Sequence, residues 1–223
     1  MSWIDTLLGL FKRQTPAPAT LPEVEADPPP MPAVPLPAAP VVAPAWKLTT
    51  EALASALSIP VSRAMVWTGP LEQAMVRFAI DTPEQRAAFL AQVAHESGKL
   101  VYVREIWGPT PAQSKYEGRL DLGNTQPGDG KRFLGRGLIQ ITGRANYAAV
   151  SKGLGIDFVS NPSLLELTDN AAMSAAWFWY AHGLNAYVSN FTTLTRKING
   201  GINGLADREA LWASCKIALG VTA

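Results

Sequence analysis

Two glutamates carry the first chemical suggestion in this chain. Glu96 and Glu105 stand nine residues apart in the stretch DTPEQRAAFLAQVAHESGKLVYVRE, residues 81–105, with a turn-forming Gly98 between them. Phe89 and Val93 repeat at helical spacing with Leu90 and Ala94 beside them, and three residues past Val93 the same stripe reaches Glu96. A carboxylate is thereby placed on the buried edge of a helix, in its last turn. Apolar surroundings and the negative end of the helix dipole both favour its protonated form. A carboxylic acid that keeps its proton near neutral pH is what general-acid catalysis requires. The plainer alternative is that Glu96 reaches solvent at a frayed helix end.

Other chemistry-bearing residues lie downstream. Glu117, Asp121 and Asp129 sit in a long aperiodic stretch, residues 107–133, rich in glycine, proline and polar residues. Loops of that length in compact domains are usually functional or mobile. Next comes FLGRGLIQITGRANY, residues 133–147, in which Gly135 and Gly137 flank Arg136 and allow a close backbone approach on both sides. Ile139 and Ile141 alternate with Gln140 and Thr142, which predicts a short extended segment with one apolar and one polar face. An amide and a hydroxyl on one face, followed by Asn146 and Tyr147, suit binding of sugar hydroxyls or positioning of a water. Asn199, Gly200, Gly201, Asn203 and Gly204 form a second loop that exposes amides and backbone between two helices. Arg208 opens the last helix, where the dipole disfavours a cation, so a carboxylate partner is expected, Glu96 or Glu105.

The elements that must position these groups read as helical. Thr82, Pro83 and Gln85 mark a helix start of the capping-box type. Upstream, Thr49 or Thr50 caps a segment carrying Leu53, Ala56 and Leu57. A second segment runs from Pro60 towards Trp67 with Met65 and Val66, and a third follows Pro70 with Leu71, Met75, Phe78 and Ala79; all of these apolar residues are expected in the core. A helix from about Ala145 is followed by a turn at Asn161-Pro162. Asp169 or Asn170 then caps NAAMSAAWFWYAHG, whose apolar residues all round mark the buried centre of the fold. His182, beside Gly183, reads as a C-terminal cap rather than a catalytic group.

Composition bounds the rest. A net charge of +1 across 223 residues gives no bulk reason for a nucleic-acid partner. The lone Cys215 forbids an internal disulfide and reads as a core residue, and with two histidines it makes no metal-ligand cluster. No apolar run reaches the ~20 residues needed to span a bilayer, and the start of the chain lacks the basic n-region of a secretory signal. Residues 1–14 place Trp3, Ile4, Leu7, Leu8 and Phe11 on one side, as in a short amphipathic helix that contacts a membrane surface or a partner through residues 2–13. Residues 15–46 are a proline- and alanine-rich linker, expected to be disordered and extended at roughly 3.1 Å per residue. The folded domain is expected over 47–223, mainly α-helical.

The set AHESG (94–98), GRGLIQITGRANY (135–147) and INGG (198–201) resembles glycoside hydrolase family 19, in the short form of bacteriophage endolysins. The resemblance covers roughly residues 48–220. It implies a lysozyme-like helical fold with a cleft between two lobes, and inverting hydrolysis of a β-1,4 bond between amino sugars without a cofactor. By motif, Glu96 is then the general acid and Glu105 the base. Gln140, Thr142, Asn146, Tyr147 and Asn199 fall among the substrate-binding positions, with Arg208 in support and Glu117 as a rival base. Asn203 stands where plant members carry a glutamate, which puts their carboxylate–arginine network in doubt here. The resemblance further implies action on the peptidoglycan glycan strand, waiting in the host cytoplasm and acting in the periplasm; a monomer is expected. Chitinase, lytic transglycosylase and a non-catalytic wall-binding module are the competing readings.

Overall fold

The computed structural model describes residues 47–221, and the amphipathic and proline-rich readings for 1–46 lie outside them. Two helices, α1 (Thr50–Leu57) and α2 (Val61–Arg77), lead into α3 (Pro83–Glu96). Short α4 (Pro111–Ser114) and α5 (Asp129–Arg132) interrupt the long loop, and α6 (Arg144–Leu154) follows. The chain ends with α7 (Thr168–Ala181), α8 (Phe191–Asn199) and α9 (Leu205–Ala218), with single 3-10 turns at Pro162–Glu166 and Leu184–Tyr187. Among the described residues the only β pairing is two isolated antiparallel bridges, Arg104 with Arg136 and Arg136 with Ile141.

The expected start of α3 is present in full. Thr82 Oγ1 accepts from the Gln85 amide, and the Gln85 side chain accepts from the Thr82 and Asp81 amides, with Pro83 at the first helical position. From Arg86 to Glu96 every residue of α3 is buried, so α3 shares the centre of the fold with α7. Phe89 meets Trp179 of α7 edge to face at 5.4 Å, and α9 packs along α3. A helix buried on all sides must satisfy its polar groups internally. Arg86 Nη1 donates to Glu72, and Gln92 Nε2 to Thr195.

Three expectations are corrected. The segments on either side of Pro70 are one helix, α2. Proline in a helix interior costs roughly 3 kcal/mol, but buried Trp67, Leu71 and Met75 flank it, and burying each such side chain contributes roughly 1.5–3 kcal/mol. The carbonyl deprived of its donor belongs to Val66, an exposed residue. Met65 and Val66, expected in the core, are 69% and 55% exposed because the buried stripe of α2 runs through Ala64, Trp67, Leu71, Ala74 and Met75 instead, and Ala79, also expected there, is exposed in the left-handed turn past the helix end. Finally, α7 starts at Thr168 after Leu167, ahead of Asp169 and Asn170; the Asn170 amide turns back onto the Leu164 carbonyl.

Candidate active site

Glu96 closes α3 and is 5% exposed. Its Oε1 accepts from Nη2 of Arg208, a fully buried residue in the first turns of α9. Of the two partners expected for Arg208, the structure selects Glu96. The remaining guanidinium donors are also placed, Nη1 on Gln92 Oε1 and Nε on the Asn203 carbonyl at 3.2 Å. Asn203 thus serves Arg208 through its backbone, and a glutamate side chain is not needed there. The surroundings of Glu96 are therefore not only apolar: a buried guanidinium stands against its carboxyl. One residue earlier on each helix, His95 Nδ1 meets Asp207 Oδ2 at 2.6 Å, and that bond holds the Asp207 carboxyl below its ordinary value. Consecutive pairs, 95 with 207 and 96 with 208, fasten the end of α3 to the start of α9.

The link from Glu96 to Glu105 is a strained turn. Gly98, Lys99 and Leu100 all have left-handed backbone, with φ of 58°, 59° and 64°. That conformation costs roughly 1–2 kcal/mol at each non-glycine residue, and a buried serine offsets part of it. Ser97 Oγ donates to the Val93 carbonyl at 2.7 Å and accepts from the Leu100 amide at 2.9 Å. Backbone strain held in place by surrounding bonds is common at functional sites.

Glu105, also 5% exposed, is held by donors alone. Its Oε1 accepts from Gln113 Nε2 at 2.9 Å and Tyr116 Oη at 3.3 Å, and its Oε2 from the Gly135 amide at 3.0 Å. Its own amide donates to the Gly135 carbonyl, and Gly137 donates to Val103, so the 103–105 segment is zipped to the GRG loop. The close approach that these glycines permit is internal: an added Cβ on Gly135 would lie 2.8 Å from Gln140 Oε1, and one on Gly137 would lie 2.8 Å from Ser174 Oγ.

Gln140 and Thr142 therefore stand beside Gly135 and, through it, beside Glu105. Gln140 does not sit in an extended strand, as alternation predicted. It closes a tight turn over 137–140 with φ +57°, and Leu138, Ile139 and Ile141 are all buried. Period-two alternation cannot tell a strand from a turn that buries its flanking residues. Gln140 Nε2 is anchored on the Gly137 carbonyl at 2.7 Å, while Gln140 Oε1 accepts no hydrogen bond among the described residues. That acceptor is buried and unsatisfied next to Gly135, whose amide holds Glu105.

The other expected residues are placed differently. Asn146, partly exposed, donates to the Thr142 carbonyl and keeps that residue in position. Tyr147 is fully buried, its hydroxyl donating to the Leu134 carbonyl and accepting from Arg136; burial pushes the phenol above its usual range. Its place is beneath the GRG loop, and no sugar reaches it. Asn199 is bound within its own loop, to Asn203 and Gly201. Glu117 is exposed, and its carboxylate accepts from the Gly128 and Gly130 amides, bracing the loop before α5. Those partners are separate from the ones that hold Glu105.

Sequence reasoning missed Gln92, Gln113, Tyr116 and Ser97. A signal existed for Gln113: TPAQ at 110–113 repeats the TPEQ of 82–85 and forms a second capping box. His182 is the C-cap of α7, with Nδ1 2.9 Å from the Phe178 carbonyl. Cys215 is buried, which pushes its thiol up to about 12. A polar pocket of about 380 Å³ lies apart from both glutamates, beside the Asp129–Arg144 ion pair.

This geometry coincides with a family-level match. The family model for glycoside hydrolase family 19, "Chitinase class I", matches residues 80–206. A glycosyl hydrolase family 19 domain-containing protein of Haemophilus influenzae is 34% identical, covering 60% of this chain and 79% of that protein. An Arabidopsis thaliana endochitinase is 38% identical over 52% of this chain, which spans only 39% of that enzyme. Among solved structures, chitinase C of Streptomyces griseus superposes with a TM-score of 0.61 at 26% identity, covering 78% of this chain and 77% of that one. A bacterial family 19 chitinase shares the fold at the same TM-score and 24% identity, covering 78% and 95%. The chain belongs to glycoside hydrolase family 19, with the mainly helical, lysozyme-like fold of that family, and is a glycoside hydrolase.

Proposed function

We propose that this chain cleaves the β-1,4 glycosidic bonds of bacterial peptidoglycan with inversion, as a phage-type endolysin. The observation that carries the chemistry is the pairing of two differently held carboxylates. Glu105 faces three hydrogen-bond donors and suits a lasting negative charge, as a base needs. Glu96 faces the buried Arg208 guanidinium, which stabilises the charge that Glu96 acquires when it passes its proton to the leaving oxygen. A water seated against Glu105, Gln140 Oε1 and Thr142 then attacks the anomeric carbon from the opposite face. An inverting enzyme separates its carboxyls by ~6.5–9.5 Å to admit that water. The left-handed turn over 98–100 carries the chain between the two glutamates, off the α3 axis.

Peptidoglycan is favoured over chitin by the tight connections around the site. The turn over 137–140 and the 200–204 link between α8 and α9 are short, which suits a glycan that bears peptides. The chitinase reading is supported by the names of the plant relatives and the Streptomyces enzyme. Mass spectrometry of soluble products from purified peptidoglycan, with chitin oligomers in parallel, separates the readings. Reducing muropeptides support the first, and their terminal sugar identifies the bond cut. Products from chitin alone select the second, anhydro ends indicate a transglycosylase, and no products from either leave a wall-binding module. The segment 2–13 is proposed to contact a membrane surface. Flotation of the intact chain with liposomes, against a chain lacking residues 1–14, tests it; equal flotation refutes it.

A further inference from the structure

We infer that Gln92 is a positioning residue for proton transfer from Glu96, acting through Arg208; the inference rests on the reading of Glu96 as the acid. Gln92 lies one turn before Glu96 on α3, so the two side chains project from the same face of that helix. It is fully buried and its amide is used at both ends. Nε2 donates to Thr195 Oγ1 of α8 at 2.9 Å, and Oε1 accepts from Arg208 Nη1. Thr195 is itself fully buried. Three helices thus contribute one buried polar side chain each, and the chain of bonds ends on Glu96.

The geometry gives Gln92 its effect. A guanidinium is a rigid planar fork, so fixing two of its nitrogens aims the third. Nε is fixed by the Asn203 carbonyl and Nη1 by Gln92, which leaves Nη2 directed at Glu96. Both fixing groups are neutral. The charged groups near Glu96 are Arg208 and Asp207 from α9, His95 beside it on α3, and Lys99 in the following turn; α8 offers only the uncharged Thr195 and Asn199. Glu96 is the carboxylate that Arg208 hydrogen-bonds, while the neighbouring Asp207 carboxyl feels the same cation without a bond to it. A carboxylate at position 92 would share that cation and make the proton on Glu96 harder to lose. A polar residue that only filled a hole in the core would have no such influence.

The test uses the full chain and two substitutions, Gln92→Glu and Gln92→Met. Two readouts are taken: the pH profile of kcat/KM on whichever glycan the parent cleaves, and the carboxyl ¹³C titration of Glu96, its signal assigned by its loss in Glu96→Gln. Gln92→Glu keeps an acceptor for Nη1, and is expected to move both the titration midpoint and the alkaline limb of the profile upward by about one pH unit or more. Gln92→Met keeps the volume but removes the acceptor, and is expected to lower kcat per folded molecule about tenfold with KM unchanged. A midpoint within a few tenths of the parent's in Gln92→Glu overturns the proposal, as does a kcat within about twofold of the parent's in Gln92→Met. Should Gln92→Glu fail to fold, Thr195→Val takes its place; it unseats the Gln92 amide and is expected to lower kcat severalfold, and an unchanged kcat overturns the proposal. Activity surviving in Glu96→Gln would sink the acid reading instead, and the ¹³C titration would still decide whether Gln92 governs the Glu96 proton.

Discussion

Gly135→Ala isolates the packing of the site from its charges. The substitution touches no carboxylate, and the Gly135 amide that donates to Glu105 remains in place. Its backbone is not left-handed, so alanine meets no φ penalty. The new Cβ would lie 2.8 Å from Gln140 Oε1 and 3.3 Å from both Gln140 Cβ and Thr142 Oγ1. Restoring ordinary contact requires Gln140 to retreat by roughly 0.5–1 Å. It cannot do so freely, because Nε2 is bonded to the Gly137 carbonyl and its own backbone is already left-handed. Overpacking of this kind costs about 1–3 kcal/mol, or a fall in Tm of about 2–10 °C for a domain of this size. An ångström of displacement at a reacting group costs about 100-fold in rate. The expected outcome is therefore a folded protein, modestly less stable, with kcat down by about two orders of magnitude. Calorimetry and initial rates per folded molecule check both halves. A variant that keeps kcat within about threefold would show that Gln140 and Thr142 do not hold the reacting water or sugar.

The remaining predictions concern charges. Glu105→Gln removes the proposed base and is expected to lower kcat by 100-fold or more, whereas Glu117→Gln, which loosens the loop before α5, is expected to stay within about threefold; the ranking of the two rates decides between them. Arg208→Met leaves Glu96 buried without its cation, and is expected to destabilise the fold by about 3–5 kcal/mol in urea at neutral pH, with activity lost as well. The hydrogen bond from Arg144 holds the Asp129 carboxyl below its ordinary value of 3.8. Because the folded value is the lower one, this pair stabilises the fold above about pH 4 and loses that contribution as acid protonates Asp129. Asp129→Asn is thus expected to lower the urea midpoint at pH 7 and to flatten its fall below pH 4; parallel curves for the two proteins would refute this.

Local signals in the sequence were read where they depend on neighbours in the chain. The capping box at Thr82 and Gln85, the stripe that carries Glu96 to the end of α3, and the buried character of α7 are all properties of short windows. A second capping box at 110–113 carried the same T-P-x-Q pattern, but the glycine- and proline-rich stretch around it reads as a loop and hides it. The functional consequence lies in tertiary structure: Gln113 Oε1 caps α4 while its Nε2 holds Glu105. The Arg208–Glu96 pair spans 112 residues, and only the misfit of a cation at a helix start announced it. Gln92 gave no such sign, since a glutamine on a helix is unremarkable until both ends of its amide are seen to be buried. Alternation misled at Gln140 because a left-handed residue breaks the period without changing the residue types. Pro70 misled for the opposite reason, a strong local rule overridden by burial on both sides of it.

We propose a two-carboxylate inverting hydrolysis with Glu96 as acid and Glu105 as base. The most direct measurement is the anomeric form of the first product, followed by ¹H NMR within seconds of adding enzyme to the glycan it cleaves, before mutarotation. The α-anomer is expected at the newly formed reducing end, with its appearance abolished in both Glu96→Gln and Glu105→Gln. A β-anomer in the first spectra, or an anhydro end that persists in Glu105→Gln, would contradict the account.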